Sequence, residues 1–194
     1  AMHFVNFDDQ VALLQQHGLD VNDLACPEDE DDVADRPLQY VLIGFNAEAP
    51  VEAVNALLAH GADPALPDGV GRNAWWYCSH VECAELLEPR LAFDPAMRDD
   101  KGGTVLHRAV HYSHRIDGSA ISLLGWWVRH GLDVNAQDLA GNTALHWMAS
   151  FYDGAHDDES IRALVEQGAR WDVVNAAGKT AREMLKKKFQ KKVW

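Results

Sequence analysis

The chain has 194 residues with 47% hydrophobic content, enough to bury the core of one domain or at most two. Its apolar runs, such as Tyr40 to Phe45 and Leu123 to Val128, fall far short of the roughly 18 residues that a membrane-spanning helix requires. The formal charge of −13 is unevenly spread: residues 1–178 hold 10 Lys/Arg against 29 Asp/Glu, whereas 179–194 hold seven against one. A body of that sign repels phosphate backbones, which argues against nucleic-acid binding by the main surface and for a basic protein partner.

In chain order, the first predicted element is a helix over Asp8 to His17, closed by Gly18. An acidic stretch follows, Glu28, Asp29, Glu30, Asp31 and Asp32 with Asp35, which reads as a solvated loop or as a docking strip for a cationic partner. Helix pairs are predicted near 37–60, 73–88, 104–130 and 143–167, and a final basic helix over Thr180 to Val193. Extra residues around His114 to Ser119 and Asp153 to Glu159 are placed in connecting loops, because a helix interior could not accept them. The segment from Trp75 to Leu87 is short between its helices, and no capping Gly follows it.

Self-similarity sets these bounds. One phrase closes the segments: Leu57-Leu58-Ala59-His60-Gly61-Ala62-Asp63 and Trp127-Val128-Arg129-His130-Gly131-Leu132-Asp133-Val134-Asn135, echoed at Leu13 to Asn22 and Leu164 to Ala169. Each Gly stands where a helix takes a left-handed C-terminal cap. A second phrase opens them: Gly71-Arg72-Asn73-Ala74, Gly102-Gly103-Thr104-Val105-Leu106-His107, Gly141-Asn142-Thr143-Ala144-Leu145-His146 and Gly178-Lys179-Thr180-Ala181. There Thr or Asn can cap a helix N-terminus.

The two phrases resemble the ankyrin repeat, and the resemblance covers nearly the whole chain. The opening glycines recur at intervals of 31, 39 and 37 residues, against a family period of about 33. The resemblance implies an all-α solenoid of stacked helix pairs with hairpin-like finger loops. It gives one domain over 1–194: an N-terminal half-repeat and acidic loop (1–35), four internal repeats (36–178) and a capping helix (179–194). It also implies that His107 and His146 hydrogen-bond between adjacent loops. In this family the first helix of each repeat lines a concave binding side, which places Tyr40, Tyr77, Arg108, Tyr112, Trp147 and Phe151 there as partner-contacting residues. Aromatics and Arg dominate binding energy at interfaces. Trp126 and Trp127, on a second helix, read as core, and Trp171 as support for its finger.

Chemistry other than binding finds little support. His107, His111 and His114 at i, i+4 and i+7 could share a helix face and hold a metal, but no carboxylate or Cys completes the set in register. Cys78 and Cys83 lack the Cys-x-x-Cys spacing of redox or metal pairs, and read as small buried hydrophobes. With Cys26 they make an odd number of thiols, which suits a reducing compartment, and no secretory signal is visible at Ala1-Met2-His3-Phe4, so a cytoplasmic location is expected. The expectation is a non-catalytic module without metal or cofactor, off the membrane and monomeric when free. It would bind a basic protein, as an inhibitor of the immunity-protein or antitoxin type. A scaffolding adaptor is the alternative, and a metal-binding protein or enzyme the remote one.

Overall fold

The computed structural model describes residues 7–23, 36–43, 50–113, 123–152 and 155–191. Among them lie helices α1 (Phe7–Gln16), α2 (Pro37–Ile43), α3 (Pro50–Ala59), α4 (Val81–Leu87), α5 (Val105–Ser113), α6 (Leu124–Arg129), α7 (Ala144–Phe151), α8 (Ala155–Glu166) and α9 (Ala181–Lys191). A single 3₁₀ turn, Ala74–Trp76, stands where the first helix of one pair would be. The described residues contain no strand, only an isolated antiparallel bridge between Val174 and Thr180. The fold is therefore all-helical and built of helix pairs, as the sequence implies. Residues 28–32 and 114–119 lie outside the described set.

The chain divides into two compact units, Ala1–Phe93 and Asp94–Trp194. In the first, α3 packs against α1, α2 and α4. Ala53, Val54, Ala56, Leu57 and Leu58 give α3 a wide apolar stripe, and all five are buried. The side chain of Asn22 ties α1 to the end of α3: its amide donates to Gly61 O (2.9 Å) and its carbonyl accepts from Asp63 N (2.8 Å). Trp75, Trp76 and Tyr77 are all buried. Successive residues of an α-helix point to different sides, so three adjacent buried aromatics do not fit one helical face, and the segment stops after a 3₁₀ turn. Asn73 caps it by accepting from Trp75 N, and the Trp75 indole donates to Leu91 O (3.0 Å).

In the second unit α7 packs against α5, α8 and α9. Leu106, Leu123, Leu124, Leu145, Met148, Leu164 and Trp127 are essentially inaccessible, and each such aliphatic side chain contributes about 1.5–3 kcal/mol relative to exposure. Trp126 and Trp127 are core, as expected. α6 ends at Gly131, whose φ of 92° lets Leu132 N–H reach back to Trp127 O (3.0 Å). Asn135 repeats the Asn22 bond pattern: it donates to Gly168 O (3.0 Å) and accepts from Arg170 N (2.8 Å).

One expectation about the insertions is corrected. Ala155 to Glu159 belong to the first turns of α8 rather than to a loop. Asp157 and Asp158 stand in the first turn, where carboxylates complement the helix dipole, and the Tyr152 hydroxyl donates to Asp158 (2.8 Å). The extra residues lengthen the helix to 12 residues, against six in α6.

The fingers share one construction. Asp68, Asp99, Asp138 and Asn175 each accept, through one side-chain oxygen, the backbone N–H groups two and four residues on. In the second unit successive fingers also pair by backbone bonds, Leu139 N to Lys101 O and Ala176 N to Ala140 O, both 2.9 Å. Gly141 combines a φ of 72° with contact: a Cβ there would lie 2.8 Å from Ala176 N, whereas Gly178, at 69°, faces open space. Gly141→Ala is therefore expected to lower unfolding free energy by at least about 1 kcal/mol more than Gly178→Ala, because it also strains the Ala176 to Ala140 bond. Urea melts of the two variants check this, and equal losses would contradict it.

Candidate functional site

The first helices of the repeats are set by a recurring side-chain tie. In α5, the Thr104 backbone N–H donates to His107 Nδ1 (3.0 Å), the Thr104 hydroxyl lies 2.9 Å from the same nitrogen, and His107 Nε2 lies 3.0 Å from Asn142 O of the next finger. In α7, Thr143 N–H meets His146 Nδ1 at 3.1 Å, and Nε2 lies 3.1 Å from Lys179 O. A backbone N–H only donates and a carbonyl only accepts, so both rings are neutral with the proton on Nε2. The loop-to-loop role expected for these histidines is what the structure shows.

In the first unit the same job falls to Gln39. Arg36 N–H donates to its Oε1 (2.9 Å), and its Nε2 donates to Arg72 O (2.9 Å), the last residue of the finger that Asp68 begins. A primary amide supplies the same acceptor and donor as a neutral imidazole. In α9 Glu183 occupies the position and accepts from Thr180 N–H (2.9 Å); a carboxylate can accept here but has no proton to pass on.

With the histidines committed, the half-buried positions beside them form a surface. On α7 the half-buried Trp147 donates its indole N–H to Asp138 Oδ2 (2.9 Å). Its ring meets His107 edge-on at 5.7 Å, His111 at 6.0 Å and Phe151 at 6.2 Å, and Phe151 meets His111 at 4.7 Å. Edge-to-face pairs at these separations are favourable beyond their buried area. Burial alone would raise the Asp138 carboxyl, but the Trp147 indole and the N–H groups of Asn142 outweigh it and hold the group below its ordinary range. One anchored carboxylate thus shapes the finger and orients the indole.

The structure brings four of the expected residues onto α5 and α7 of one unit: Arg108, Tyr112, Trp147 and Phe151. Arg108 and Phe151 are half-buried, while the Tyr112 side chain lies outside the described set. In the first unit Tyr40, on α2, is 63% exposed. Tyr77, expected to be exposed, is 4% exposed, and its hydroxyl donates to Asp68 Oδ2, because its helix has shrunk to a 3₁₀ turn. Glu28, Asp29, Glu30, Asp31 and Asp32 lie outside the described residues. Trp171 lies half-buried under the Arg182 guanidinium, 5.7 Å from its ring centroid.

Among the described residues no group of three or more His, Cys, Asp or Glu is placed to hold a metal. His114 is outside them, and both His107 nitrogens are already bonded. Cys78 and Cys83 are free, buried thiols. Burial, reinforced by Cys83, pushes the Cys78 thiol far up, and burial, then Glu82, raises Cys83 to about 11, so neither forms thiolate readily near neutral pH. No helix among the described residues is long and apolar enough to cross a membrane.

Sequence reasoning did not single out Asp68, Asp99, Asp138 and Asn175, yet each stands three residues before one of the recurring glycines. Nor did it single out Gln39, whose signal is its place three residues after Arg36, as His107 follows Thr104.

The ankyrin repeat family pattern matches residues 140–177, the finger of Asp138 through α7 and α8 to the next finger. The chain is 29% identical over 132 residues to SH3 and multiple ankyrin repeat domains protein 2 of Homo sapiens; the match covers 66% of this chain and only 6% of that much longer protein. In fold it resembles the crystal structure of EF0377, an ankyrin repeat protein, with a TM-score of 0.66 and 19% identity, over 96% of this chain and 88% of that one.

The tie carries a pH prediction. Burial lowers the His107 pKa below its ordinary value of about 6.5. The unfolded chain takes up a proton near pH 6.5 while the folded ring does not, so this contribution to stability is complete above that pH and falls as the pH drops through it. His107→Gln keeps both bonds, as Gln39 does, and removes the titration. It is expected to fold and to lose less stability between pH 7.5 and pH 5.5, roughly one unit either side of that value, than the natural protein. Melting temperatures across that range check this, and equal slopes would contradict it.

Proposed function

Because the chain belongs to the ankyrin-repeat family, we propose that it is a non-catalytic module that binds a basic protein, with the exposed face of α5 and α7 as its principal contact. Ankyrin repeats are protein-interaction modules and generally non-catalytic. The observation that carries the contact assignment is the Trp147 indole, half-exposed yet held by Asp138 and braced by His111 and Phe151. A pre-oriented aromatic loses little conformational freedom on binding, which is the property of an interface anchor. Arg108 on α5, with Tyr112 from the same helix, adds to that face, and Tyr40 offers a second contact in the first unit. Tyr77 acts through the finger it fastens to Asp68.

The basic character of the partner rests on the charge of the chain, with the Glu28 to Asp32 stretch as a steering strip. Within that reading, an inhibitor of the immunity-protein or antitoxin type fits best, since a surplus of carboxylates matches a cationic toxin. Free, buried Cys78 and Cys83 suit a reducing, cytoplasmic setting.

Affinity capture from the native source, followed by calorimetry with the purified partner, tests this. One tight basic partner is expected, with affinity falling as salt rises. Trp147→Ala should weaken binding by about 2 kcal/mol, roughly 30-fold. Tyr40→Ala should weaken it with no change in melting temperature, since Tyr40 is 63% exposed. Several weak partners would favour an adaptor instead, and undiminished binding by Trp147→Ala would remove the α5 and α7 face from the account.

A further inference from the structure

A second surface lies at α1. Leu13, Leu14 and Leu19 are 53%, 50% and 55% exposed, a concentration of apolar side chains that isolated surface leucines do not make. Beside them a cavity of about 330 Å³ is lined by Val11, Leu14, Leu19, Val21, Pro37 and Leu57, with Asp20 and Asp23 among its wall residues. Its walls come from α1, the segment that caps it, the start of α2 and the last turn of α3. α1 is a second helix by its phrase and its Asn22 tie; it packs chiefly on α3, and α2 meets it at the cavity through Pro37. The cavity is apolar in its lining, acidic at Asp20 and Asp23, and bounded by helices, which suits an amphipathic helix carrying basic residues.

The chain itself carries such a helix. α9 opens with the phrase of a first helix and packs on α7 along one side, which leaves its basic side outward. Met184 and Leu185 on it are half-buried, while Arg182 and Lys186 are exposed. Residues 179–194 hold seven of the 17 Lys/Arg of the whole chain, whereas 7–23 hold four Asp and no Lys or Arg. We propose that the α1 groove of one copy receives α9 of a second copy. Leu13, Leu14 and Leu19 would be covered by Leu185 and by the aliphatic stems of the lysines, and the ammonium groups would reach Asp20 and Asp23. Donor and acceptor surfaces are different, so the contact is heterologous, and an open string of copies keeps one free groove and one free helix at its ends.

Sedimentation velocity on the full chain tests this with two variants, Leu14→Glu in the groove and Lys186→Glu with Lys187→Glu on the helix. Leu14 and Lys186 are exposed, and circular dichroism melts establish that both variants fold. The natural protein should show a mass that rises with concentration and falls with added salt. Each variant alone should associate at least about tenfold more weakly. Mixed, the two should recover one contact and stop at a dimer, because the groove of the helix variant and the helix of the groove variant are both intact. Trp147→Ala should self-associate as the natural protein does, which separates this contact from the partner-binding face. A chain that stays monomeric up to about millimolar concentration overturns the proposal. So does self-association that Leu14→Glu leaves unchanged, or variants that regain nothing on mixing.

Discussion

The structure depends on a hydrogen bond that leaves α2, α5 and α7, the first helices of three repeats, and ends on the next finger. It needs a side chain three residues into the helix that accepts from the helix's own entering N–H and donates to a carbonyl about one repeat away. Neutral His satisfies this at His107 and His146, and the amide of Gln39 satisfies it in the first unit. Each tie closes an otherwise orphaned N–H at a helix start and fixes the height of the following finger. A buried polar group left unmatched at such a point would cost about 1–3 kcal/mol.

From that constraint the surface follows. The fingers are held from within by Asp68, Asp99, Asp138 and Asn175 and, in the second unit, from finger to finger by backbone bonds. Because Asp138 is fixed by the finger, its second oxygen can hold the Trp147 indole; because His107 and His111 are fixed by α5, the indole has walls to pack against. Apolar packing supplies most of the stability, while these polar contacts decide where the aromatic side chains point.

Much of this was legible in the sequence because it recurs. The closing Gly and the opening Thr or Asn mark places where backbone conformation or a cap leaves few choices, and the helices fall close to the limits those residues set. What was not legible depends on one-off substitutions. The role of Gln39 shows only once its two bonds are seen to copy those of a histidine. The burial of Tyr77 follows from three neighbouring aromatics that shrink a helix to one turn, a tertiary effect that no repeat pattern contains. The extra residues before Ser160 lengthened α8 because two aspartates suited its first turn, although a loop was equally compatible with the repeat.

The central claim is that the oriented Trp147 is the anchor for a protein partner. The most direct measurement is the indole N–H spectrum by NMR as the purified partner is added. The account predicts that the Trp147 resonance shifts or broadens in step with binding while that of the buried Trp127 stays in place. Saturating binding that leaves the Trp147 resonance unmoved would contradict it.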